Sequence, residues 1–316
     1  MQNPSIPINA TTKFPEKSIT MVVPFSVGSG SDLIARSLEK MAPKHLGQPL
    51  VIINKPGGAG TIGWNELAGA TPDGYTLAIT GVDMLLLPLY GSAKYDYLTA
   101  LQPLAQITAV PLVLVVQSSQ PWQTLNDLIE YAKNHPGKLK FANSGIGGFT
   151  HVLGESFAQV AGIAIEQVPF SGGGESTSAL LGGHVELCFV NPMLIKEHIK
   201  NGTVRALAVT GDQRVDDPIF AQVPTFKEQR LDISLNNWFG IAIPKEVPVE
   251  IRNKLAEGFK AIISDPEFKN NMNNVGLKAQ YLGPQESQDK WLADSQKLSK
   301  TLQDSGVLEK IKAQRK

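Results

Sequence analysis

Cysteine is almost absent from this chain. Cys188 is alone in 316 residues, so no disulfide can form within the chain, and metal sites built from several cysteines are excluded. Between Leu187 and Phe189 it reads as a small buried hydrophobe. An excess of charge is missing too. Basic and acidic residues number 29 each, a net formal charge of +0, which removes the electrostatic case for nucleic acid or an anionic membrane as partner. No stretch reaches the roughly 18 apolar residues of a membrane span. The five histidines, at 45, 135, 151, 184 and 198, form no metal-ligand spacing: His151 and Glu155 share a helical face but lack a third ligand. Neither metal nor cofactor is expected. Residues 1–10 carry no basic start and no apolar run, which fits a cytoplasmic protein or a mature exported chain whose leader gave way to an initiator Met.

What is present is hydrophobic content of 42%, enough for packed cores, in a length that favours two domains at roughly 150 residues each. Strand and helix patterns alternate throughout, which predicts an α/β architecture with largely parallel sheets. Ile19–Val23 reads as a strand, 31–43 as a helix, Leu50–Asn54 as a strand, 61–70 as a helix and 75–80 as a third strand: half of a doubly wound sheet. Leu104–Val116, broken by Pro111, reads as extended chain crossing between lobes. Thr124 to Asp127 has the form of a capping box opening a new helix. The same strand–loop–helix logic then repeats through strands at 165–170, 185–190 and 204–210. After Trp238 come a strand and two amphipathic helices near 248–264 and 284–304, which should return to complete the first lobe. The predicted division is 15–116 plus 239–316 for one lobe and 117–238 for the other, with a ligand cleft between.

Three glycine-rich loops follow strands. The first is Phe25-Ser26-Val27-Gly28-Ser29-Gly30-Ser31-Asp32. The second contains Ser144, Gly145, Gly147, Gly148, Thr150 and His151, and the third contains Phe170, Ser171 and Gly172. Small residues let the backbone approach a bound group, and the first N–H groups of the following helix point at it, a geometry that attracts anions. A dinucleotide fingerprint fails, because Leu33 stands where the third Gly belongs and Asn54-Lys55 where an acidic residue is needed. No Walker Gly-Lys-Ser/Thr follows either. Gly154-Glu155-Ser156 and Gly174-Glu175-Ser176 lack the closing Gly of a nucleophile elbow. What remains is a site of neutral donors: the hydroxyls of Ser26, Ser29, Ser31, Ser144, Thr150 and Ser171, and glycine N–H groups. Asn191, after the strand 185–190, joins this set. Asp32 reads as a first-turn helix residue, and Phe25, Phe149, Phe170 and Trp238 lie beside the loops as candidate walls.

This ordered set resembles the extracytoplasmic solute-binding receptors of tripartite tricarboxylate transporters, the Bug or TctC-like family. The resemblance rests on Val23-Pro24-Phe25 with its Gly/Ser run to Asp32, Asn54-Lys55-Pro56-Gly57-Gly58-Ala59-Gly60, Thr71-Pro72-Asp73-Gly74-Tyr75, the 144–151 loop and Gly202-Thr203-Val204-Arg205-Ala206. It implies a periplasmic-binding-protein type II-like fold: two doubly wound lobes, joined by two crossing strands, closing on a small carboxylate. It further implies periplasmic location, a monomer, no catalysis, and delivery to the membrane permease subunits. By the same resemblance, loops 25–32 and 144–151 hold one carboxylate and Phe170-Ser171-Gly172 the far end. The family commonly has Tyr-Lys-Gly at that third loop, so the substitution here suggests a more apolar pocket, suited to an aromatic or longer aliphatic acid over citrate. Two other readings stay open: a ligand-sensing partner of a signalling system, and a carboxylate-processing enzyme with His151 as its base.

Overall fold

The computed structural model describes residues 13–315. The chain runs β1 (Ile19–Val23), α1 (Gly30–Leu46), β2 (Leu50–Asn54), α2 (Thr61–Ala68), β3 (Thr76–Gly81), α3 (Asp83–Leu86), α4 (Tyr97–Ala100), β4 (Leu101–Pro111) and β5 (Val113–Gln117). It continues through α5 (Leu125–Asn134), β6 (Leu139–Asn143), α6 (Phe149–Ala161), β7 (Ile165–Pro169), α7 (Gly173–Leu181), β8 (Leu187–Val190), α8 (Pro192–Lys200) and β9 (Val204–Val209). It closes with β10 (Asn236–Pro244), α9 (Val249–Ser264), α10 (Pro266–Asn274), α11 (Pro284–Ser305) and α12 (Val307–Gln314). Among the described residues no helix is long and apolar enough to cross a membrane.

Two five-stranded sheets result, ordered β2-β1-β3-β10-β4 and β7-β6-β8-β5-β9. In each, one strand arriving from the other lobe runs antiparallel to its neighbours: β10 in the first and β5 in the second. The remaining strands are mutually parallel, and the central ones are near-continuous apolar runs because helices cover both faces. Residues 113–116, expected in the first lobe's share, are hydrogen-bonded in the second sheet. Asn236–Trp238, expected in the second lobe's share, pairs with β4 in the first. The reason is Pro111: it lacks the N–H to continue the ladder, so the chain changes sheets at Leu112 instead of crossing as one unbroken strand.

The second crossing, from Thr210 to Leu235, is irregular chain with one short 3-10 turn. Thr210 ties the two crossings together. Its hydroxyl accepts the Leu112 N–H at 3.0 Å and donates to the Leu235 carbonyl at 2.6 Å, while its own N–H reaches the Leu112 carbonyl at 2.9 Å. Helices α8, α10 and α12, unmarked in the sequence patterns, complete the layers.

The first sheet's core lies between α1, α9 and α10, around Ile34, Leu38, Phe259 and Phe268. Lys44 and His45 at the end of α1 reach the N-cap Asp265 of α10 at 2.7 and 2.8 Å. Cys188 lies fully buried in the second lobe's core, where desolvation pushes its thiol far up. Trp238 is core as well, stacked on Trp291 at 6.1 Å and donating to Asp294 at 3.0 Å. Helix α12 touches both lobes, packing on α6 and on the turn Leu87–Tyr90.

Helix α6 meets β6 through Gly154, where an added Cβ would lie within 2.0 Å of the fully buried Phe141 ring. Ala for Gly in a helix interior gains about 1 kcal/mol from propensity, whereas overpacking costs about 1–3 kcal/mol. Gly154→Ala should therefore lower stability by up to about 2 kcal/mol in a denaturant titration; a stabilising result would show that Phe141 can give way.

Candidate functional site

Between the lobes lies a partly open cavity of about 50 Å³, adjoining a wider pocket of about 490 Å³ that shares Phe25 and Ser144 with it. The sheet topology positions it, because the loops at the carboxyl ends of parallel strands gather at the crevice. Phe25, Ser29, Gly30 and Ser31 line it from the first lobe. Ser144, Phe149, Thr150, Gly173 and Asn191 line it from the second, and Leu112, Asn237 and Phe239 from the crossings. The lobes touch around it. Ser26 donates its N–H to the Ser171 carbonyl at 3.1 Å, and a Cβ on Gly172 would come within 2.8 Å of Ser26 Oγ. Gly145, at φ +115°, lets the second loop lie against Ala59, where a Cβ would come within 2.9 Å of the backbone.

The first loop is organised as a helix cap. Ser29 is the N-cap of α1 and its Oγ accepts the Asp32 N–H at 3.3 Å. Asp32 accepts from the Gly28 N–H at 2.9 Å, Arg36 Nε at 3.1 Å and Asn54 Nδ2 at 3.0 Å. Burial alone would raise its carboxyl, but these bonds outweigh it and hold it low. Asp32 thus shapes the loop from behind and does not line the cavity. Val27 is 66% exposed and, with Gly28, borders an outer groove. The first helical N–H groups, of Gly30 and Ser31, have no partner among the described residues and sit in the cavity wall. The Ser29 and Ser31 hydroxyls pair with each other at 3.1 Å beside them.

The second loop is more self-satisfied than its composition suggested. Ser144 N–H binds Thr150 Oγ1 at 2.9 Å, and Gly145 N–H binds Asn143 Oδ1 at 3.0 Å. Gly147 N–H donates to His151 Nδ1 at 2.9 Å, and Gly148 N–H to the Gly145 carbonyl at 3.0 Å. These glycine donors hold the loop itself. The Ser144 and Thr150 hydroxyls pair with each other at 2.9 Å, and the Thr150 and His151 N–H groups have no partner among the described residues. His151 is fully buried and faces away, its Nε2 lying 3.4 Å from Glu155 Oε1. Burial opposes charge on Glu155, but His151, Gln314 and Lys310 pull its carboxyl down to about 2.

Of the third loop, Gly173 lines the cavity. Phe170, Ser171 and Gly172 do not: Phe170 and Ser171 line the adjoining wider pocket with Gly57–Gly60, Gln314 and Arg315. Phe170, so placed, is no cavity wall; Phe25 and Phe149 are, joined by Phe189, Val190 and Phe239. The sequence reading missed these last three, which sit at strand ends indistinguishable from core. It also missed Asp83. That residue follows β3, is 7% exposed, lines the cavity and accepts the Phe149 N–H across the cleft at 2.8 Å. Its only early signal was a charged residue in the apolar run Ile79–Leu87.

The chain matches the model of the tripartite tricarboxylate transporter family receptor over residues 34–307. It belongs to that family, and its two lobes have the type II periplasmic-binding-protein fold. Protein BugT of Bordetella pertussis is 36% identical over 243 residues, spanning 76% of this chain and 74% of that one. The periplasmic binding protein BugD superposes with a TM-score of 0.89 at 30% identity, over 93% of this chain and 99% of its own. The R. palustris protein Rpa4515, solved with adipate, gives 0.87 at 29% identity, over 93% and 98%.

Two carboxyls set opposite pH limbs. Desolvation pushes Asp83 up to about 6 despite its bond from Phe149. A raised acid contributes stability present below its unfolded value and lost as pH rises through about 6. Asp83→Asn should therefore be the more stable form at pH 7, by on the order of 3 kcal/mol, with the difference closing toward pH 4; an equal difference at both pH values would contradict the assignment. Glu155 has the reverse sign, its contribution fading as pH falls from about 4.5 toward 2, so Glu155→Gln should flatten the acid limb of a thermal-unfolding series.

Proposed function

We propose that this protein is an extracytoplasmic solute receptor, located in the periplasm, that captures a small carboxylate between its lobes and delivers it to membrane permease subunits of the tripartite tricarboxylate type. One observation carries the reading: an inter-lobe cavity into which two unpaired helix-start N–H groups, Gly30 and Ser31, open beside the hydroxyls of Ser29, Ser31, Ser144 and Thr150. Helix starts favour an anion through exposed donors and the positive end of the dipole. Neutral donors suit capture followed by release, because no buried cation has to be stripped of its partner. Family membership supplies the support for a transport role.

The walls narrow the ligand. Phe25, Phe149, Phe189, Phe239 and Leu112 give the cavity an apolar body. Its 50 Å³ takes only three to five water-sized groups at about 10–15 Å³ each. The small size and apolar walls of this cavity favour a compact acid over citrate. Phe170 lines the adjoining wider pocket, so it offers no wall to a ligand held wholly within the small cavity. A short-chain carboxylate fits best. The enzyme reading loses its proposed base, since His151 is tied to Gly147 and Glu155 away from the cavity.

A calorimetric panel of mono-, di- and tricarboxylates tests this. Short-chain acids should bind and citrate should not. Ser144→Ala should weaken every binder about 10- to 100-fold, the loss of one hydrogen bond to a charged group, while Phe170→Ala should leave affinity within about two-fold. Citrate as the tightest ligand, or a Phe170 effect exceeding that of Ser144, would overturn the assignment.

A further inference from the structure

One helix of the second lobe takes its cap from the first. Asp83, placed just after β3, accepts the Phe149 N–H at 2.8 Å through Oδ1. Phe149 opens α6, and the N-cap position of that helix is Gly148, which supplies no side-chain bond. Gly148 also admits the carboxylate, since a Cβ there would lie 2.9 Å from Asp83 Oδ1. A carboxylate suits such a place, because exposed donors and the positive end of the dipole favour it. Asp83 and α6 belong to opposite lobes, so the cap is made when the lobes meet and lost when they part.

The same meeting strips Asp83 of water. It is 7% exposed, and its Oδ2 receives no hydrogen bond from another described residue. The cavity lining around it contains no Lys, Arg or His. Tyr90, on the turn after α3, is a titratable neighbour, but burial pushes its phenol far up and it stays neutral. On α6, His151 is engaged by Gly147 and Glu155, and Glu155 by Lys310 and Gln314. Arg315 on the end of α12 donates to the Ile146 carbonyl. One hydrogen bond does not replace the hydration of an ionised carboxylate. We propose that Asp83 is a proton-linked switch on lobe closure: neutral, it caps α6 and lets the lobes meet; ionised, it shifts the unliganded cleft toward opening. The neutral acid keeps a carbonyl oxygen for the Phe149 N–H, so protonation preserves the cap. The sign follows from burial, which raises this carboxyl to about 6 in the closed form. Closure is therefore favoured at low pH, and that advantage is lost as pH rises through about 6. The inference rests on the receptor reading in one respect, that the lobes part. Asp83 acts here as a positioning residue, setting the geometry of the cleft.

Distances between spin labels on the intact, unliganded protein test the inference. Lys40→Cys on α1 and Lys133→Cys on α5 place one label on each lobe at exposed positions, and the buried Cys188 stays unlabelled. The ratio of closed to open molecules should rise about 10- to 100-fold from pH 7 to pH 4. Asp83→Asn keeps the accepting oxygen and lacks the charge, so it should show the closed distance at pH 7 and no further response to pH. A purely structural role would change the stability of that variant, read by thermal unfolding, without moving the distance. Distances that are the same at pH 4 and pH 7, or a pH response that survives in Asp83→Asn, overturn the inference. If a carboxylate of the calorimetric panel still closes the lobes in that case, the receptor reading stands. If neither pH nor any such acid changes the distance, the receptor reading falls with it.

Discussion

Backbone N–H groups at the start of a helix have no acceptor within that helix, and the cleft of this protein is organised around where their hydrogen bonds go. At the start of α6 a carboxylate from the opposite lobe takes the Phe149 N–H, and the Thr150 and His151 N–H groups have no partner among the described residues. In α1 the Gly30 and Ser31 donors are left open. Both loops are braced by their own side chains, and both helix starts keep two donors unpaired.

The sequence carried the architecture well because its signals were local. Apolar runs marked the parallel strands, Thr124 and Asp127 form the capping box their spacing announces, and the return of the C-terminal segment to the first sheet followed from a sheet short of strands. The exchange of sheets at Leu112 was blurred, because Leu104–Val116 is uniformly apolar and only Pro111 marks the break. Site composition was less legible. Glycine and serine identify a loop that can approach a ligand, but not which of its N–H groups are already used. His151 and Asp32 were natural candidates by type, yet both turn their polar atoms to the loop behind the cavity. Asp83 was hidden by its neighbours: nothing in Val82-Asp83-Met84 shows that this carboxylate meets the start of a helix 66 residues away.

Apolar walls and sparse charge set the electrostatic character of the site. With Phe25, Phe149, Phe189 and Phe239 around it, the cavity screens charges poorly, so a single carboxylate or a single open N–H weighs more than it would at a surface. The overall neutrality of the chain leaves this local field undiluted by any long-range one. Recognition is therefore decided by a handful of atoms within hydrogen-bonding reach, and steering from a distance contributes little.

Helix α12 bears on how far the lobes can separate. It follows α11 through Gly306, yet Lys310 and Gln314 grip the buried Glu155 on α6, and Arg315 donates to the Ile146 carbonyl in the second loop. The same helix also rests on the turn before Gly91 in the first lobe. Opening therefore cannot be a free swing about the two crossings braced by Thr210. Either α12 travels with the second lobe and the backbone bends at Gly306, or it releases Glu155 into water. The molecule has a third tether, and the amplitude of its jaw is limited at the rear as well as at the hinge.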